Sequence, residues 1–352
     1  MNNDKRESFF INYYMSNRVM RKTHDPEALH QIYASKYANW IVPFLKQHGI
    51  VNAPSLLCCN TLAQLPDFFT LQKHSFFVSD YYLYSYFYDI NYTFSDSARY
   101  EFYIDLIIKT FIELAYLTKH IDLSYSLAQN SPTIEEYKNT SDYRDRDLSV
   151  SLVEKTDLQE AFTFLHEATH FLCRRYPNLE DMEKTMSGFW NVAPLNLTSQ
   201  TLEECYCDFN SVIFILKQTY PSNRLQKEKY FEDLFLTLIY TYTRQLVYYF
   251  QSICVEEYEN YMDQELELLW LRFGGIHAYI TKYLSSVGFA DDIPLLDFVF
   301  HKSIEIFKKL GYETRRMLKY IKQEGESNLT VYANVSHKDK IAYIKYYLKL
   351  LT

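Results

Sequence analysis

Residues 156–175 read TDLQEAFTFLHEATHFLCRR, and they decide how the rest of the chain is read. Leu158, Ala161, Phe162, Leu165, Ala168, Thr169 and Leu172 recur at steps of three and four, the period of an amphipathic helix. Thr156-Asp157-Leu158-Gln159 has the form of a capping box, so the expected helix covers about 157–175. His166 and His170 are four apart. On a helix that spacing places their Cβ atoms roughly 5–6 Å apart on one face. Two imidazoles so placed can converge on one zinc ion, with bonds of about 2.1 Å. Glu167 sits one step round the helix, where it reaches a water beside the metal and not the metal itself, the position of a general base. The plainer alternative is a helix in which two of the chain's 10 histidines fell at this spacing by accident.

The flanks of His-Glu-x-x-His bear on that choice. Thr163 stands three residues before the first histidine, and Leu172 two after the second. Phe164, Ala168, Thr169 and Phe171 are uncharged, and no proline intervenes. In these features the segment resembles the zincin metallopeptidases. A catalytic zinc takes three protein ligands, so a third is needed. The metzincin extension would require glycine at 173 and a ligand at 176, where this chain has Cys173 and Tyr176. The gluzincin pattern, a later glutamate followed four residues on by an aspartate, has a counterpart in TLEECYCDFNSVIFIL at 201–216. The resemblance therefore implies Glu204 as third ligand, and Asp208 as the carboxylate that holds a ligand histidine's ring N–H. It covers only about 157–175 and 200–216.

Alternatives stay open at this stage. Glu203 is a neighbouring candidate, facing about 100° away on the helix. Thr201-x-x-Glu204 also fits a capping box. Cys205 and Cys207 point to different sides of a helix and read as small core filler. In the implied reaction, zinc polarises the scissile carbonyl and Glu167 moves the proton to the leaving amine. An oxyanion donor would also be needed. RFGGIHAYI at 272–280 offers His277 and Tyr279 after a glycine pair expected to break the helix. Arg244 and Tyr248 share a helix face. Core packing and a surface pair are the plainer readings of these residues. Tyr176, Phe189 and Trp190 lie in the connection between the two motifs and could line a cleft.

The whole chain is compatible with such a protein. Its 352 residues are 48% apolar, enough for a sizeable core, with only 7 glycines and 9 prolines. A net charge of −8 without a basic run argues against a nucleic-acid partner. The polar start, MNNDKRESFFINYYMSN, lacks the apolar core of a secretory signal. Even LFLTLIYTYTRQLVYYF (234–250) carries Arg244, so no membrane span is expected. Cys58, Cys59, Cys173, Cys205, Cys207 and Cys254 then read as reduced thiols in a cytoplasm, where the sequon at Asn196 carries no meaning.

The expected fold is mainly α (α+β). Residues 1–190 would form a zincin-like N-terminal lobe with a small sheet and the His-Glu-x-x-His helix. Residues 191–352 would form an all-helical lobe carrying the third ligand. DPEALHQIYASKYANWIVPFLKQHG (25–49) reads as a helix pair broken near Pro43 and ended at Gly49. From Phe76 to Phe94 aromatic residues alternate with polar ones, a period of two that predicts one or two strands; an edge strand there could align an extended substrate. A long helix is expected at 97–120, polar connection at 131–150 and irregular chain at 176–200. Further helices are expected at 200–219, 224–252, 255–273, 276–286, 293–310 and 312–323, and a last one from Ser336 with Asp339 as its capping partner. The functional expectation is a zinc-dependent endopeptidase, rather than an exopeptidase, acting on protein or peptide substrate. Two alternatives are a zinc-binding, non-catalytic sensor and a metal-free helical interaction protein. Neither the substrate nor the oligomeric state can be read from the residues.

Overall fold

The computed structural model describes residues 26–59, 66–71, 74–94, 146–175, 199–248 and 258–323. The expected helix at 97–120, the connections at 131–145 and 176–198, and the last helix from Ser336 lie outside them. So do Tyr176, Phe189, Trp190 and the side chains of Arg244 and Tyr248. The described chain is mainly helical with one small sheet.

Helix α1 (Pro26–Lys36) begins on a proline, whose missing N–H costs nothing in the first turn. It passes through a π-turn (Tyr37–Ile41) into α2 (Val42–Gln47). Pro43 has no N–H to offer the Asn39 carbonyl, and the helix widens at that point instead of breaking. Gly49 ends it at φ 79°, while the Ile50 amide donates to the Leu45 carbonyl at 2.9 Å. This is a Schellman closure, which requires the left-handed backbone glycine adopts freely.

Three strands follow: β1 (Ser55–Cys59), β2 (Asp67–Leu71) and β3 (His74–Asp80), in spatial order β1-β3-β2. β3 is the central strand, parallel to β1 and antiparallel to β2. Helix α3 (Tyr81–Phe94) continues directly from it. The period-two reading of 76–94 is therefore correct only as far as Asp80. Beyond it the buried residues among the described side chains are Leu83, Phe87, Ile90, Asn91 and Tyr92, a helical spacing. Tyrosine and phenylalanine fill so many positions between 76 and 94 that both periods are satisfied, and only packing separates them. The edge-strand expectation also changes. β3 is flanked on both sides, and the edge beside the motif helix is β2.

Helix α4 (Arg146–Arg175) carries the motif and packs against α3, β2 and two C-terminal helices. It starts ten residues before Thr156, so the expected capping box is not a cap. Thr156 Oγ1 donates to the Leu152 carbonyl at 2.7 Å, a bond available only inside a helix. Gln159 bonds instead to Asn91 of α3. Glu160, wholly buried, accepts from Tyr33 and pairs with Lys36, which ties α1 to α4. Phe77 of β3 has no exposed surface and meets Phe164 of α4 edge-on at 5.2 Å. Phe77→Ala should cost about 3–5 kcal/mol in chemical denaturation, the usual range for a buried aromatic; a loss under about 1 kcal/mol would mean the sheet does not bear on α4.

The C-terminal half comprises α5 (Ser199–Thr219), α6 (Arg224–Tyr248), α7 (Tyr258–Ser286) and α8 (Ile293–Gln323). Two expected breaks are absent. α7 runs straight through Gly274-Gly275, and α8 through Gly311. Phe273 stacks on Phe307 at 5.3 Å and Ile276 is fully buried, so packing offsets the roughly 1 kcal/mol that each mid-helix glycine costs. Thr201 is already inside α5 and does not cap it. One hydrophobic core runs from Tyr33 to Phe307. No described helix is long and apolar enough to cross a membrane.

Candidate metal centre

Helices α4 and α5 lie against each other and bring both motifs together. Residues 166, 170 and 173 of α4 recur at steps of four and three, and so do 204 and 208, and 203 and 207, of α5. Each helix therefore turns one polar stripe toward the other. His166 Nε2 lies 3.1 Å from His170 Nε2. Glu204 straddles the pair, with Oε2 3.3 Å from His166 Nε2 and Oε1 3.4 Å from His170 Nε2. Four ligands at about 2.0–2.1 Å around a tetrahedral zinc stand roughly 3.3–3.4 Å apart. Each Nε2 already has that spacing to one Glu204 oxygen, though not to the same one, so a turn of the Glu204 carboxylate is needed to close the set on a zinc ion.

Each imidazole has a carboxylate on its other nitrogen. His170 Nδ1 is 2.6 Å from Glu203 Oε1. His166 Nδ1 is 2.9 Å from Asp208 Oδ1, although the oxygen lies off the N–H direction and the contact is not a well-aligned hydrogen bond. Asp208 is held in turn by Arg272 of α7, whose Nε and Nη2 donate at 2.6 and 2.8 Å. Arg272 Nη1 also lies 3.2 Å from Glu204 Oε2. Burial penalises every charge here, yet the partners outweigh it. His166 is raised to about 10 by Asp208 and Glu204 despite burial, and Glu204 is held well below the carboxylate range by the two imidazoles and Arg272.

Glu167 behaves differently. Burial raises its carboxyl above the ordinary range, opposed by His166 and His170, with Glu204 and Asp67 adding to the rise. It is close to both histidines electrostatically, and Asp67 places it on the side where β2 meets α4. Cys207 is a further donor, since one donor atom each from His166, His170 and Cys207 lie within 4.8 Å of one another. Its side chain is wholly buried, whereas Glu204 is 24% exposed. Glu204 leaves a site open to water, and Cys207 would close it.

The structure therefore brings His166, Glu167, His170, Glu204 and Asp208 into one cluster. Of the oxyanion candidates, the Tyr248 side chain lies outside the described residues, and His277 and Tyr279 have other partners. His277 bonds to Asp297 at 2.7 Å and stacks on Phe300 at 4.1 Å, and so faces α8. Tyr279 stacks on Phe209 at 4.5 Å within the core. Glu203, the alternative ligand, pairs with the other nitrogen of His170. Two residues were missed by sequence reasoning: Cys207, read as core filler, lies beside both histidines, and Arg272 was not singled out. Arg272 is 4% exposed and surrounded in sequence by Leu269, Phe273 and Ile276. A charge on an apolar helix face signals a buried partner, but not which one.

Both carboxylates can be tested together. Glu203→Gln and Asp208→Asn should each weaken zinc roughly 10–100-fold in competition with a chromophoric chelator. Unchanged affinity in either variant would leave that residue with no part in orienting its histidine. Comparison with protein-family models, curated proteins and solved structures gave no match.

Proposed function

We propose that this chain is a zinc-dependent metallopeptidase of gluzincin type. The observation that carries the reading is the placement of His166 Nε2 and His170 Nε2 3.1 Å apart, each with one Glu204 carboxylate oxygen at 3.3–3.4 Å. These three would hold the metal. Zinc bound there would polarise a peptide carbonyl and acidify a water. Glu167 is not needed as a ligand, and burial raises its carboxyl, the direction that suits a general base. It would take the proton from the attacking water and return it to the leaving amine nitrogen. Glu203 and Asp208 hold the histidine rings, and Arg272 holds Asp208. The small sheet and α4 would belong to a zincin-like N-terminal lobe, with α5–α8 supplying the third ligand from a helical C-terminal lobe. β2, the sheet edge beside α4, would pair with an extended peptide by main-chain hydrogen bonds. That preference for extended chain favours an endopeptidase.

The test is to incubate the zinc-loaded chain with a denatured protein mixture and map new N-termini by mass spectrometry. New termini that vanish with a chelator and return with zinc are expected. A fully zinc-loaded chain that generates none would overturn the peptidase reading.

A further inference from the structure

We propose that Cys173, Glu203 and Cys207 form a second cation site, for a thiophilic divalent ion of the zinc class, adjoining the histidine site through Glu203. The two sites are separable, because the second needs neither His166 nor Glu204.

Cys173 lies three residues beyond His170 on α4, and Cys207 lies four beyond Glu203 on α5. Each pair therefore shares a helix face, and the faces meet. Their two sulfurs and a Glu203 oxygen lie within 4.8 Å of one another. Around zinc, with Zn–S bonds of about 2.3 Å, two sulfurs stand about 3.8 Å apart. The set closes on an ion with side-chain adjustments of about an ångström.

Small apolar filler is the ordinary role of a buried helix cysteine; Cys205 fits it, and Cys173 also packs against the hydrophobic core. Cys207 is equally buried but does not belong to that core cluster. Its polar neighbours are a second thiol and the Glu203 carboxylate on one side and the two imidazoles on the other, so it borders both sites. Glu203 is 31% exposed at the rim, which gives an ion a way in from solvent. Two thiolates and a carboxylate supply three negative charges to a divalent ion, and the thiols release their protons on binding. Glu203 gives Oε1 to His170 Nδ1, so its other oxygen serves the second site. Loading that site draws on the carboxylate that orients His170. Repulsion between two neighbouring dications makes the second ion the weaker one.

The test uses metal-free, reduced, full-length chain titrated with Co²⁺, which absorbs strongly in the near ultraviolet only when thiolates ligate it. Two equivalents per chain are expected, the weaker one producing the thiolate absorption. Cys173→Ser and Cys207→Ser should each lose that equivalent and the absorption while keeping the other. His166→Ala should lose the tighter equivalent and keep the absorption. Wild-type chain that binds Co²⁺ without thiolate absorption would overturn the proposal, whatever the variants do. So would absorption that survives in Cys173→Ser but not in Cys207→Ser, which would place Cys207 in the histidine site as its third ligand. Failure of the histidine site alone leaves the thiolate absorption intact.

Discussion

Glu167→Gln should give a folded chain with normal zinc content and a hydrolytic rate lower by at least about 10²-fold, the loss expected for a positioned acid–base group. Glutamine keeps the size of the side chain and can still hydrogen-bond a water, but it cannot accept a proton. The geometry supports this separation of roles. The atoms proposed to face the metal come from His166, His170 and Glu204, and the Glu167 carboxyl, raised by burial, feels the charge of both histidines. The measurement compares rates at new termini found with wild-type protein. Equal rates in the two proteins would remove Glu167 from the mechanism. Loss of zinc in the variant would make Glu167 a ligand.

Glu204→Ala should lose most of its zinc, and with it activity. Glu203→Ala should keep zinc with weakened affinity, the roughly 10–100-fold expected when a histidine's supporting carboxylate is removed. The two glutamates are adjacent in sequence and differ in what they touch. Glu204 bridges both Nε2 atoms, while Glu203 reaches His170 at Nδ1, on the far side of the ring. Removing Glu204 also removes the Arg272 Nη1 contact. Arg272 keeps its two bonds to Asp208, so the fold should survive. Metal analysis and circular dichroism on both variants check this. The opposite order, with Glu203→Ala empty and Glu204→Ala full, would move the ligand to Glu203.

The motif helix and its partner were legible because their chemistry depends on local spacing. Four residues along a helix suffice to pair His166 with His170, and Glu204 with Asp208. What decided the rest is tertiary. The strand at 74–80 and the helix at 81–94 share one aromatic-rich stretch, and only the burial of Leu83, Phe87 and Ile90 separates them. Thr156 and Thr201 carry capping signals inside helices, because packing on both sides lengthens α4 and α5 past them. Gly274 and Gly275 do not end α7, since the stacked Phe273 and Phe307 hold it together. Arg272 reaches the site from 64 residues beyond Asp208 in the chain, and no local pattern announces such a partner. Cys173 and Cys207 are likewise unremarkable singly and come together only when α4 meets α5.

The central claim is that His166, His170 and Glu204 hold a zinc ion. The most direct test is metal analysis of untagged protein purified without chelators, with His166→Ala and His170→Ala prepared in parallel. Zinc is expected in wild-type protein, at one per chain in the histidine site, with most of it missing from both variants. Wild-type protein that neither carries zinc nor takes it up when zinc is supplied, or histidine variants that retain the full wild-type content, would contradict it.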